Sequence, residues 1–127
     1  MKKIVIVLCV LGFTLTSIGG CTKTLSDNAC DVKNPLTDLE WLSQIVKIWE
    51  ENSQNGFGTT ARIYQCTYEK NKIGFLIEPC VGCPDAGYSF RSFDGTILCG
   101  GGGIDGKDSC ETLNIDFANK RLIYKLN

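Results

Sequence analysis

The sequence predicts an α+β domain: one N-terminal amphipathic helix packed on an antiparallel sheet of about four to six strands, with disulfides as added support. Three observations predict it. Apolar residues recur at helical spacing between residues 38 and 53. From residue 60 the period changes to alternation, cut at intervals by turn signals. Six cysteines follow residue 21, an even set suited to cross-linking.

The first 20 residues stand apart from that domain. Lys2 and Lys3 precede an apolar run over residues 4–15, and Thr16 and Ser17 lead through Ile18-Gly19-Gly20 to Cys21. Basic, then apolar, then small is the order of a secretory signal peptide. The run is shorter than the roughly 20 residues that a spanning helix needs. Ile18-Gly19-Gly20-Cys21 resembles the bacterial lipobox, whose cysteine is acylated and becomes the first mature residue. The expected organisation is a signal peptide over residues 1–20, a lipid on Cys21, a tether over residues 21–33 and a single domain over residues 34–127. Each buried acyl methylene contributes about 0.8 kcal/mol, so several chains hold a protein to a membrane essentially permanently. Two of the 13 basic residues leave with the signal and all 14 acids stay, so the formal charge moves from −1 to −3. A mildly acidic chain does not point to nucleic acid or anionic lipid as a partner.

Residues 22–33 are polar and short of large apolar side chains, as a tether should be. Thr37-Asp38-Leu39-Glu40 fits a capping box, with Leu36 and Trp41 placed for a hydrophobic staple. Leu39, Leu42, Ile45, Val46 and Trp49 follow the helical period, and Trp41 and Ile48 widen the stripe. Asn55-Gly56 supplies the stop. The expected helix therefore runs over residues 38–53, with both tryptophans on its core side.

Residues 60–69 form the first expected strand, with Tyr64, Cys66 and Tyr68 on one face. A turn at Lys70-Asn71-Lys72 leads to a second over residues 73–78, with Ile73, Phe75 and Ile77 on one face. Pro79 ends it. A loop over residues 79–85 precedes a third strand over residues 87–93, and Asp94-Gly95 is a strong two-residue hairpin signal before a fourth over residues 96–99. Residues 100–108 read as a glycine-rich loop, and residues 113–117 and 121–126 as a last strand pair turning at Asn119-Lys120.

With these segments in order, the chain resembles a family of small uncharacterised lipoproteins of the Bacteroidota. The resemblance rests on Asn34-Pro35-Leu36, Asp38-Leu39, Trp41-Leu42, Ile63-Tyr64-Gln65, Thr67-Tyr68, Pro79-Cys80, Asp94-Gly95, Ile97-Leu98-Cys99, the glycine loop to Gly106, Cys110, and Leu122-Ile123-Tyr124-Lys125. It spans nearly the whole domain and implies no activity. Cys30 and Cys66 stand outside that family's usual set, and the resemblance implies that they pair with each other.

Cys9 falls in the signal and Cys21 is the lipid site, so Cys30, Cys66, Cys80, Cys83, Cys99 and Cys110 are the disulfide candidates in an oxidising compartment. Six cysteines allow 15 pairings. Cys80-Val81-Gly82-Cys83 has the spacing of a redox pair, but Pro84 and Asp85 follow, with no helix to stabilise a thiolate. A zinc site built from Cys80, Cys83, Cys99 and Cys110 lacks the second knuckle spacing. Gly101 to Gly106 matches G-x-G-x-x-G without the helix that the nucleotide-binding mechanism requires. Asp105 and Asp108 do not make a calcium-loop ligand set. The chain has no histidine, which removes Ser-His and Cys-His nucleophile systems.

No catalytic, metal or cofactor site is therefore expected. The expected function is a non-enzymatic, lipid-anchored binding or accessory module of the bacterial cell envelope, its partners the membrane and an envelope protein or component. The alternatives are a thiol-disulfide oxidoreductase using Cys80 and Cys83, or an inhibitor of an envelope enzyme. Thr22 stands where an aspartate is associated with inner-membrane retention, and no acidic run follows Cys21, so the periplasmic face of the outer membrane is the expected location.

Overall fold

The computed structural model describes residues 32–55 and 60–127. The expected signal peptide, Cys9, Cys21, Cys30 and nearly all of the tether lie outside the described residues. Within them the chain runs α1 (Pro35–Asp38), α2 (Glu40–Gln54), β1 (Ala61–Tyr68), β2 (Lys72–Glu78), β3 (Gly87–Ser92), β4 (Ile97–Gly102), a 3₁₀ turn (Glu111–Leu113) and β5 (Arg121–Leu126). The five strands form one sheet in the order β4-β3-β2-β1-β5, every pair antiparallel. A helix on a five-stranded antiparallel sheet is the α+β arrangement that the change of period predicts.

The helix begins differently from the capping-box expectation. Pro35 starts a helical turn early, its fixed φ suiting the first turn, and Asn34 is the N-cap of α1. The Thr37 hydroxyl donates to the Asn34 carbonyl at 3.1 Å instead of capping α2. Leu39 is extended, with φ −108° and ψ 103°, and separates α1 from α2. That break turns the Leu39 side chain into the core, where it is buried. No side chain caps α2, and its first amide bonds run from Leu42 and Ser43 to the Leu39 carbonyl.

The sheet is covered on both faces. On one, Leu39 and Leu42 pack with Ile63, Phe75 and Ile77, joined by Trp41, Val46, Trp49 and Tyr124. On the other, Cys66, Tyr68, Leu76, Phe90, Cys99 and Cys110 pack together with Leu113 and Ile115. Strand alternation sorts these sets: Ile63 and Phe75 point one way, and Cys66 and Tyr68 the other. Phe75, Phe90, Leu42 and Ile63 are the largest fully buried side chains, each contributing about 1.5–3 kcal/mol by burial. Gly74 leaves room for the Phe90 ring, which a Cβ there would strike.

The expected last strand pair does not form. Residues 113–117 leave the 3₁₀ turn through Asn114, whose φ of 47° is left-handed and ends any extended run. The segment crosses the sheet end, with the Asp116 amide bonded to the Thr67 carbonyl at 2.9 Å, and covers the second face. β5 pairs with β1 instead. The glycine-rich loop also starts later than expected, because Gly100, Gly101 and Gly102 continue β4 opposite Ser89, Tyr88 and Gly87. Both edge strands are irregular: the register shifts at Leu98 in β4 and at Ile123 in β5. Edge bulges of this kind discourage pairing with another sheet.

Candidate functional site

The helix covers β5, β1 and β2 more fully than β3. Trp49 lies against Tyr124 of β5 with ring centroids 6.2 Å apart, and Trp41 meets Phe75 of β2 edge-on at 5.7 Å. A groove of about 300 Å³ remains between α2 and β3. Ile45 and Trp49 form its apolar wall, Gly87, Ser89 and Arg91 its floor, and Pro79 one end. Register explains the floor. Ser89 sits beside Ile77 and Arg91 beside Phe75, so both face the helix side but lie beyond its cover. Ile48, expected to widen the buried stripe, is 55% exposed. It shares a side of α2 with Gln44 and Glu51, both exposed.

Arg91 is the polar group of this groove. Its Nε–H donates to the Ser89 hydroxyl at 3.5 Å, and its guanidinium lies 5.8 Å from the Trp41 ring. Among the described residues its only polar partner is Ser89, and the ion pairs are Lys47–Glu51 and Lys72–Glu69. A half-buried guanidinium without a carboxylate suits an anionic group on a partner. Sequence reasoning missed this arrangement, because the spacing of Ser89 and Arg91 carries no sign of which residues α2 leaves uncovered.

The cysteines fall in three places. Cys80 and Cys83 pair with each other, Cα atoms 5.7 Å apart, in the loop beyond Pro79. Cys80 is half-buried and Cys83 exposed. The loop is pinned by the Val81 amide on the Thr60 carbonyl at 2.6 Å, and Gly82 takes a φ of 88°. Cys99 and Cys110 form the second bridge, Cα atoms 5.1 Å apart, both buried. Cys66 is buried and has no disulfide partner among the described residues. Burial pushes it up to about 11, with Lys120 working against the rise and Asp116 and Glu78 adding to it. Among the described residues no group of three or more His, Cys, Asp or Glu side chains gathers as metal ligands.

The glycine-rich segment is held shut. The Tyr88 hydroxyl donates to Asp108 at 2.5 Å, and the Cys110 amide donates to the same carboxylate at 2.8 Å. Burial, then the bond to Asp108, pushes the Tyr88 phenol up to about 12, and the same bond holds Asp108 below the usual carboxylate range. Ser109 engages the outer edge of Gly100 through its amide and its hydroxyl. Asp105 is exposed, and Asp108 is committed to Tyr88 and Cys110, so the two acids do not converge.

Comparison with known proteins finds no match. No family model, curated protein or solved structure matches this chain. The groove and the loop beside it therefore carry the functional argument by their own geometry. Among the described residues no helix is long and apolar enough to cross a membrane.

Proposed function

We propose that the chain is a lipid-anchored accessory domain of the cell envelope that binds a partner polypeptide in the groove between α2 and β3. One observation carries the reading: Ile45, Trp49 and Arg91 put an apolar wall and an uncompensated cation on one uncovered strip of sheet. The strip suits an extended segment with an apolar side chain beside an acidic one. The apolar part gains by burial, and the acidic part by a charge-assisted hydrogen bond in a partly desolvated site. The signal over residues 1–20, acylation at Cys21 and a tether over residues 21–33 belong to the same proposal, with the periplasmic face of the outer membrane as its setting. The basic, apolar and small order of residues 2–20, ending in Ile18-Gly19-Gly20-Cys21, supports the lipoprotein part of it.

A photo-crosslinking side chain at Ile48, exposed and one helical turn on from Ile45 of the groove wall, tests the binding site in intact envelopes. A discrete polypeptide adduct is expected, and it should vanish when Arg91→Glu or Ser89→Trp is added. An Ile48 probe that yields no adduct, or an adduct indifferent to both changes, overturns the proposal.

A second reading has its own observation: Cys80 and Cys83 are bonded to each other at an exposed loop. As an oxidoreductase, the bridge would accept two electrons and two protons from a substrate dithiol, which leaves as a disulfide. No helix N-terminus stabilises a thiolate here, and Asp85 follows closely. Alkylation and mass spectrometry after mild dithiothreitol treatment decide the matter. The reading requires Cys80 and Cys83 to be reduced while Cys99–Cys110 persists, and resistance of the loop bridge sinks it.

A further inference from the structure

The net charge of the chain does not point to an anionic surface, but the fold gathers its cations unevenly. Arg62 of β1 lies directly opposite Lys125 of β5, and Tyr64 opposite Leu122. These four share the sheet face away from α2. Lys120 stands over the Tyr64 ring at 4.2 Å, and an Arg62 guanidinium nitrogen lies 3.4 Å from the Tyr64 hydroxyl. Around the same edge, Lys33 and Arg121 line a cavity of about 200 Å³. Two acids are close. Glu78 is opposite Arg62 on β2, and Asp116 is engaged by Asn119. Arg121 stands opposite Gln65 on the helix side and donates to its side-chain carbonyl, where Asp38 and Glu50 are also bonded, to Asn34 and Tyr124. On the outward face three cations, Arg62, Lys120 and Lys125, thus face two carboxylates. Like charges directly opposite each other on antiparallel strands are destabilising, so the Arg62–Lys125 pair costs the domain something by itself.

Apolar groups accompany the charge. Leu122 is 48% exposed and Phe117 is 40% exposed. The chain enters here as well, because Lys33 and Asn34 line the same cavity as Leu122 and Ile123. Between Cys21 and this point the chain is short: about 12 residues reach at most roughly 40 Å. We infer that the β5 edge is the face the domain lays against the membrane, where Arg62, Lys120 and Lys125 meet anionic phospholipid headgroups and Leu122 and Phe117 reach the interface. Each cation near such a surface adds attraction that salt screens, and the tether raises the local headgroup concentration. This inference rests on acylation of Cys21.

The test uses the full acylated protein in two sets of vesicles, one of phosphatidylcholine and one of phosphatidylcholine with phosphatidylglycerol. Flotation with phosphatidylcholine alone reports the anchor. Amine acetylation read by mass spectrometry reports the face, with Lys47 and Lys107 as internal references. Lys120 and Lys125 should label at least about fivefold more slowly on the anionic vesicles, with the difference removed by high salt. Equal rates on both vesicles, with flotation intact, overturn the membrane face and leave the anchor standing. Failure to float removes the anchor and the orientation with it.

Discussion

The Trp41 indole N–H donates to the Phe93 carbonyl at 3.0 Å, across 52 residues of chain. This bond ties the start of α2 to the β3–β4 hairpin. The Trp41 ring also lies over Gly95, where a Cβ would come within 2.9 Å of it. Trp41→Phe keeps most of the apolar contact and leaves the Phe93 carbonyl without this donor. A loss of about 1–2 kcal/mol is expected, seen as a lower midpoint in urea with an unchanged slope. Gly95→Ala should cost at least as much, because φ is 90° there and the added methyl meets the ring.

The two bridges should differ in what they support. Cys99–Cys110 joins residues 11 apart in sequence, and both half-cystines are buried in the core on the second face of the sheet. Replacing both cysteines with alanine should cost about 3 kcal/mol. Cys80–Cys83 closes four residues, and its removal should cost about 2 kcal/mol or less. Paired denaturation curves check the order, and equal losses would mean that the glycine-rich segment holds without its bridge.

Cys66 should be silent to iodoacetamide in the native protein. Its thiol is buried and pushed up to about 11, so modification of the folded state should rise only as pH approaches that value. In urea without reductant it should label readily. Protection there, relieved by reductant, would instead show the Cys30–Cys66 bridge that the family resemblance implies.

Acid should act through Asp94 and Asp108. The Ser92 hydroxyl and the Thr96 amide hold Asp94 below the usual range, and the Tyr88 hydroxyl does the same for Asp108. Their folded values lie below the unfolded one, so their stabilisation is full above about pH 4 and fades as pH falls through the folded values. Asp94→Asn should lower stability at neutral pH and flatten the acid limb of a stability–pH curve. Tyr88 works in the opposite sense. Its folded value is raised, so its contribution is full below about pH 10 and is lost as pH rises towards 12. Tyr88→Phe should flatten the alkaline limb.

The sequence by itself determined the elements whose signals are local. The spacing of Leu39, Leu42, Val46 and Trp49 specifies a helix with one buried side, and the alternation through Ile63, Cys66 and Tyr68 and through Ile73, Phe75 and Ile77 specifies two half-buried strands. The hairpin turns at Lys70-Asn71 and Asp94-Gly95 were equally legible, because left-handed φ is demanded at Asn71 and Gly95 themselves. The tertiary structure decided whatever depends on partners far along the chain. Alternation at residues 113–117 looks like a strand, yet Asn114 is left-handed and the segment is more useful as a cover for Cys66 and Phe90. β5 pairs with β1 across 56 residues at Gln65–Arg121, a choice no local period records. The same long-range register brings Arg62, Lys120 and Lys125 around Tyr64, and leaves Ser89 and Arg91 beyond the edge of α2. Periodicity tells a residue which face it occupies. What covers that face, and what stands next to it, is settled only when the sheet closes.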